Sequence, residues 1–169
     1  EKGCVYVVPL MESLNLPAGV NAVANAKSST GRLDLLTRSI TDGGVEFDRI
    51  PSGYSGPLYA EICPRSFSVL VRPGMRLNQI RFRDGQSVLT DHELTAVHSE
   101  TPLVDGDPVI DDGLGFSVDL KPEDGTLVGY RAKPHTGVID LDRIGEYDPA
   151  EYWEEVRCEN GQIILDPGA

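Results

Sequence analysis

The chain has 169 residues, 40% of them apolar and 25% charged, which is enough for one domain with a real core or for two small ones. A net charge of −12 argues against nucleic acid as a partner, and no apolar run approaches the roughly 18 residues of a membrane span. Eighteen Gly and twelve Pro suggest many short strands joined by turns. The opening Glu1-Lys2-Gly3-Cys4 has no signal-peptide pattern, and the three cysteines (Cys4, Cys63, Cys158) are odd in number and widely spaced. Together they favour buried free thiols in a reducing, cytoplasmic compartment over a disulfide framework.

Charge divides the chain. Residues 1–85 hold 10 Lys and Arg against 8 Asp and Glu, a net of +2; residues 86–169 hold 5 against 19, a net of −14. An anionic small molecule would prefer the first half.

In chain order, Val5 to Leu10 is a short β-rich run that Pro9 marks as an edge or a strand end. Leu14 to Gly19 reads as a turn, and Val20 to Asn25 alternates like a strand. Ala26-Lys27-Ser28-Ser29-Thr30-Gly31-Arg32 follows, with Leu33, Leu35 and Leu36 packing a short helix or extended run behind it. Thr41 to Gly44 is a loop, and Ile50 to Pro57 is a second, turn-rich one. Leu58 to Ile62 is a strand with Leu58, Ala60 and Ile62 on one face and Tyr59 and Glu61 on the other. Ser66 to Val71 reads as a strand, Arg72-Pro73-Gly74-Met75 as a turn, and Leu77 to Phe82 as another alternating strand. Up to about Asp84 this is an antiparallel all-β unit with one short helix.

Beyond Asp84-Gly85 the character changes. Thr90-Asp91-His92-Glu93 is a capping box opening a helix to about His98. Leu103 to Gly113 is acidic, and its Asp cluster is either a calcium loop lacking the EF-hand spacing and terminal Glu, or a solvated linker. His92, His98 and His135 lie outside any ligand spacing, so neither a structural zinc site nor the zinc-deaminase signature is present. Phe116 to Leu120 reads as a strand, as do Leu127 to Ala132 and Gly137 to Leu141. Asp148-Pro149-Ala150-Glu151 starts a helix, with Tyr152, Trp153 and Val156 as its apolar side and Trp153 as a core anchor. Ile163 to Leu165 is a strand running into the Pro167-Gly168 turn.

Two stretches carry chemistry. Ser28 or Ser29 reads as an N-cap with Arg32 in the first helical turn, where a cation opposes the helix dipole unless an anion is bound. The stretch is therefore either a phosphate cradle or an ordinary capped turn. Glu61 is either a solvent-facing strand carboxylate or a catalytic base. Attack of water on a ring carbon needs a base, and then an acid to protonate the leaving amine. One carboxylate does both jobs when a partly apolar pocket raises its pKa.

Four motifs taken together resemble the dCTP deaminase and dUTPase superfamily. They are Leu10-Met11-Glu12-Ser13-Leu14-Asn15-Leu16-Pro17, Lys27-Ser28-Ser29-Thr30-Gly31-Arg32-Leu33, Gly53-Tyr54-Ser55-Gly56 through Glu61, and Arg72-Pro73-Gly74-Met75-Arg76-Leu77-Asn78-Gln79-Ile80. The resemblance implies a mainly β, dUTPase-like distorted β-barrel or β-clip with short helices. It also implies a homo-oligomer, either a trimer or its tandem-repeat equivalent. In the dUTPase branch an Ile-Asp pair precedes the Gly-Tyr loop, and its Asp activates the attacking water; here the pair is Ile50-Pro51. In the deaminase branch a Glu on the following strand activates water for attack on C4 of cytosine without a metal, and Glu61 holds that position. The implied reaction is hydrolysis of dCTP to dUTP and ammonia. A dUTP diphosphatase, a bifunctional enzyme and a non-catalytic nucleotide-binding repeat are the alternatives.

The same resemblance assigns roles. Glu61 is the general base and then acid, and Ser28 orients the water or the base. Lys27, Ser29 and Arg32 hold the triphosphate, Lys27 standing where the family has Arg. Gln79 is a phosphate contact or a sheet-edge amide, and Tyr54 packs on the deoxyribose or anchors its loop. No cofactor enters the chemistry, and Mg2+ travels with the triphosphate. Gly115-Phe116-Ser117-Val118-Asp119-Leu120 and Gly161 to Gly168 are similar to the family's early strand and strand-Pro-Gly turn. Residues 1–85 thus read as the later part of one deaminase-like repeat, 86–112 as an acidic linker with a short helix, and 113–169 as the early part of a second repeat.

Overall fold

Two three-stranded antiparallel sheets pack face to face across residues 6–84 and form the frame of the molecule. The structure is a computed structural model that describes residues 3–85, 88–121, 127–158 and 160–165. The first sheet has the order β1 (Tyr6–Asn15), β5 (Ser55–Pro64), β3 (Leu35–Thr41). The second has the order β4 (Arg49–Ile50), β2 (Val20–Ala26), β7 (Asn78–Asp84). Ala22, Ala24, Ile50 and Leu58 form the buried seam between them, with Leu10, Leu14, Tyr54 and Ile80 packed around it. The expectation of a mainly β chain with short helices holds.

β1 is longer than its sequence suggests. It runs through Pro9, because an edge strand loses nothing by lacking one N–H, and its register with β5 shifts between Pro9 and Ser13. Leu14 and Asn15 therefore lie in the strand, not in the turn expected there. β3 was hidden for a different reason. Its buried face is Leu35, Thr37, Ser39 and Thr41, so the usual apolar-in, polar-out alternation is inverted. Leu36, expected to pack inward, is on the outer face and exposed.

Asp48 ties the two sheets together. Its backbone sits in the left-handed region (φ 61°), which Asp tolerates better than most residues. Its N–H donates to Ser39 O, its carboxylate accepts from Ser39 N, and its carbonyl accepts from Ala24 N.

The acidic half begins with α2 (Asp91–Glu100), opened by the expected capping box: Thr90 Oγ1 accepts from Glu93 N, and Glu93 accepts from Thr90 N. The Asp91 carboxylate accepts from Asp112 N and Gly113 N. Phe116 to Leu120 forms no strand, because it has no ladder partner among the described residues. β8 (Leu127–Ala132) pairs antiparallel with β10 (Trp153–Arg157). The helix expected after Asp148 is capped as read, with Asp148 accepting from Ala150 N, but α3 covers only Pro149–Tyr152. Trp153 and Val156 belong to β10, so the three apolar residues do not share a helical side. Ile163 to Leu165 forms no strand, and Pro167-Gly168 lies outside the described residues.

The second half docks on the first through one aromatic knot. Phe67 is fully buried and meets Tyr152 and Trp153 edge-on, at 5.8 and 5.3 Å between ring centroids. Trp153 is thus the core anchor expected. Beside the knot, β6 (Val69–Leu70) pairs in parallel with β9 (Ile139–Asp140). The strand expected over Ser66 to Val71 shrinks to these two residues. Arg72 holds Asp140 bidentately at 2.5 and 2.7 Å and reaches Asp142 at 2.9 Å.

Candidate active site

Glu61 lies on the outer face of the first sheet, where strand alternation puts it once Ala60 and Ile62 take the core. Its side chain is only 14% exposed. The register places Arg38 of β3 directly opposite on one side and Val7 of β1 on the other. Arg38 donates from Nε at 3.0 Å and from Nη2, both to Oε1 of the carboxylate. The guanidinium also lies 3.7 Å from the centroid of the Phe47 ring, so the ion pair is roofed by an aromatic face. Among the described residues no hydrogen bond falls on Oε2. Tyr59, two residues back on the same face, has its phenol pushed up by the neighbouring Asp42 carboxylate.

The Lys27-Ser28-Ser29 turn has a different geometry from the one expected. α1 (Ser28–Gly31) is a single turn with Lys27 at its N-cap and no side-chain cap bond. Arg32 is at the C-cap, its N–H donating to Ser28 O, so this cation complements the helix dipole there. The argument that Arg32 needs an anion to excuse its place at a helix start therefore falls. What remains is an exposed cluster of Lys27, Ser28, Ser29 and Arg32 around a tight turn. Lys27 N donates to Leu77 O and Asp34 O accepts from Arg65 N, which pins the turn between the starts of β7 and β3.

Gln79 faces outward on the second sheet opposite Asn25, with its Nε2 3.5 Å from Asn25 Oδ1. Arg81 Nη1 reaches the same oxygen at 3.2 Å. Asn25 is two residues before Lys27, so Gln79 and the turn share one end of the sandwich. Glu61 is nearer that end as well, three residues from Pro64, which pairs with Leu35.

Tyr54 is elsewhere. It precedes β5, seven residues from Glu61, or about 23 Å along the backbone at the usual rise. Its hydroxyl accepts from Asp42 N at 3.1 Å and donates to Pro57 O. A Cβ on Gly56 would come within 2.9 Å of that hydroxyl, so glycine leaves the room the ring needs. Within this chain Tyr54 is thus tied to its own loop, on the side of Tyr59. One chain places Lys27, Ser28, Ser29, Arg32 and Gln79 at one end of the sandwich, Glu61 mid-strand on an outer face opposite Arg38, and Tyr54 beside the start of β5.

Arg38, Phe47 and Asp48 escaped the sequence reading because β3 did. Among the described residues, no three His, Cys, Asp or Glu side chains converge as a metal site, the Asp105 to Asp112 segment included. No helix of the described residues is long and apolar enough to cross a membrane. Cys63 and Cys158 are buried and Cys4 half-buried, and no disulfide joins them among the described residues.

Family comparison divides the chain in two. Residues 1–86 match the N-terminal domain of 2'-deoxycytidine 5'-triphosphate deaminase, and residues 90–169 match its C-terminal domain. The fold superposes on the crystal structure of 2'-deoxycytidine 5'-triphosphate deaminase from Agrobacterium tumefaciens with a TM-score of 0.88 and 50% sequence identity. The match covers 99% of this chain and 51% of that one, so the chain spans about half the length of that structure. No curated protein matches the sequence.

Proposed function

The chain belongs to the dCTP deaminase family, and on that premise we propose that it hydrolyses dCTP to dUTP and ammonia with Glu61 at the centre of the reaction. The observation that carries the proposal is the fixed carboxylate. Arg38 holds Oε1 with two N–H donors and leaves Oε2 to face a reactant.

Glu61 Oε2 takes a proton from water as its oxygen attacks C4 of the cytosine. The proton passes to N3, the carboxylate then takes the C4 hydroxyl proton and gives it to the exocyclic nitrogen, the C4–N bond breaks, and ammonia leaves as the C4 carbonyl forms. Ser28 orients the water or the carboxylate. Lys27, Ser29 and Arg32 take the triphosphate, and Mg2+ comes with it. Lys27 offers a point charge where Arg would offer a planar fork, so its phosphate contact depends on charge more than on geometry.

The dispersal of these groups over separate faces supports a site shared between copies or repeats. A second copy would bring its own Tyr54 or Gln79 to the Glu61 face. The half-length match supports reading 113–169 as the opening part of a second repeat. A cytoplasmic homo-oligomer acting on dCTP follows from the same reading.

The test is release of ammonia and dUTP from dCTP with magnesium, beside Glu61→Gln. Turnover that Glu61→Gln abolishes while dCTP still binds establishes the role. The same dispersal gives one rival reading its footing, a nucleotide-binding repeat without catalysis. Wild-type protein that binds dCTP and releases no ammonia would establish that reading instead. Pyrophosphate release would indicate a diphosphatase, which Pro51 disfavours.

A further inference from the structure

Residues 42–48 join β3 to β4 and are tied down at both ends. At the first end, Asp42 N donates to the Tyr54 hydroxyl and Gly44 N donates to Thr41 O, each at 3.1 Å. Gly44 lies so close to β3 that a Cβ there would collide with Thr41 Oγ1. At the second end, the backbone and carboxylate of Asp48 bind Ser39 and Ala24. A connection held this closely presents its side chains in fixed places.

Two of those side chains land on the Glu61 face of the first sheet. The Asp42 carboxylate is hydrogen-bonded to the phenol of Tyr59, two residues from Glu61 on that face. The Phe47 ring centroid lies 3.7 Å from Cζ of Arg38. Between these contacts the face carries Ile40, across from Tyr59, and Arg38, across from Glu61. A guanidinium offers two planar faces and an edge of N–H donors. An aromatic ring on one face leaves the edge for a carboxylate. Arg38 spends that edge, Nε and Nη2 together, on Oε1 of Glu61.

We propose that Phe47 is a positioning residue for the reaction: its ring holds the Arg38 guanidinium edge-on to Glu61 and so keeps the carboxylate aimed at the water. The proposal rests on the role proposed above for Glu61. Phe47 acts through Arg38 and touches no reacting atom. The ties at residues 42, 44 and 48 serve to bring this one ring to that guanidinium.

Phe47→Leu keeps apolar bulk and removes the ring, and Phe47→Trp keeps a ring face. Phe47→Leu is expected to lower kcat for ammonia release from dCTP about 5- to 20-fold with KM within about twofold, while Phe47→Trp keeps the wild-type kcat. In an Arg38→Ala background, Phe47→Leu costs nothing further. A second readout needs no turnover: in 15N NMR the Arg38 Nε–H exchanges with water about tenfold faster in Phe47→Leu than in wild type. An equal loss of kcat with and without Arg38 overturns the proposal, as does an Arg38 exchange rate that Phe47→Leu leaves alone. Faster exchange at unchanged kcat overturns it too, and makes the stack structural only. Each of these outcomes leaves Glu61 in its role. The deaminase reading fails on different results, a wild type that releases no ammonia or a Glu61→Gln variant that keeps its turnover, and either one takes this proposal with it.

Discussion

Arg38 sits directly across the β3–β5 ladder from Glu61 and places both of its hydrogen bonds on a single carboxylate oxygen. A strand register thereby fixes the orientation of an acid, and the Phe47 ring over the guanidinium keeps the pair from swinging free. On the role proposed for Glu61, Arg38→Ala is expected to lower kcat for dCTP deamination by about 10- to 100-fold, with a smaller change in KM, because a loosely held base spends less time aimed at the water. Arg38→Lys recovers part of the loss, since one ammonium replaces two donors of a planar fork. The rate of ammonia release against pH checks the effect: the profile moves if Arg38 tunes the carboxylate and keeps its shape if Arg38 is structural only.

Tyr54 is a stability residue within its own chain. Tyr54→Phe deletes the bonds to Asp42 N and Pro57 O. The expected cost is about 1–2 kcal/mol in urea unfolding, with KM for dCTP unchanged. A rise in KM at unchanged stability would instead make the hydroxyl a substrate contact.

Asp140 gives the junction of the two halves a pH dependence. The Arg72 guanidinium holds its carboxylate down to about 2 from an ordinary 3.8, aided by the N–H of Asp142. A carboxylate with a depressed pKa in the folded state stabilises the fold above its unfolded pKa. That contribution fades as pH falls from about 4 toward 2. Thermal unfolding followed across this window should show the decline, and Asp140→Asn should flatten it while lowering stability at neutral pH.

Phe67 carries the docking of the aromatic knot. Phe67→Ala is expected to cost about 3–5 kcal/mol and to open residues 127–158 to limited proteolysis before the sandwich. Simultaneous cleavage of both regions would mean that they unfold as one unit.

Removing the capping box should stay local. α2 buries no residue, so Thr90→Ala is expected to speed amide exchange over residues 91–100 with little change in global Tm. A fall in Tm of several degrees would show that α2 is coupled to the core.

The sequence was most readable where side chains announce their own backbone. Thr90 with Glu93, Asp148 with Pro149, and the alternation of Leu58, Ala60 and Ile62 name their structures locally. Reading failed where the tertiary partner decides. β3 buries Thr37, Ser39 and Thr41 and so resembles a surface strand turned inside out. Phe116 to Leu120 has the pattern of a strand but no ladder partner among the described residues. Likewise Ser28, Ser29 and Arg32 were visible as a cluster, but which end of the helical turn each would occupy depended on Lys27 N reaching Leu77 O. Arg38 could not be chosen among the arginines until the register had set it opposite Glu61.

The two-residue parallel pair between Val69–Leu70 and Ile139–Asp140 closes a loop of about seventy residues. Loop closure of that length is entropically costly before any contact repays it, and non-local pairing slows folding. During synthesis the sandwich strands through β7 emerge well before Ile139 does. For that interval Phe67 has neither Tyr152 nor Trp153 to cover it. The nascent chain therefore passes through a state with a complete pair of sheets and an uncovered aromatic, a natural point for a chaperone to engage.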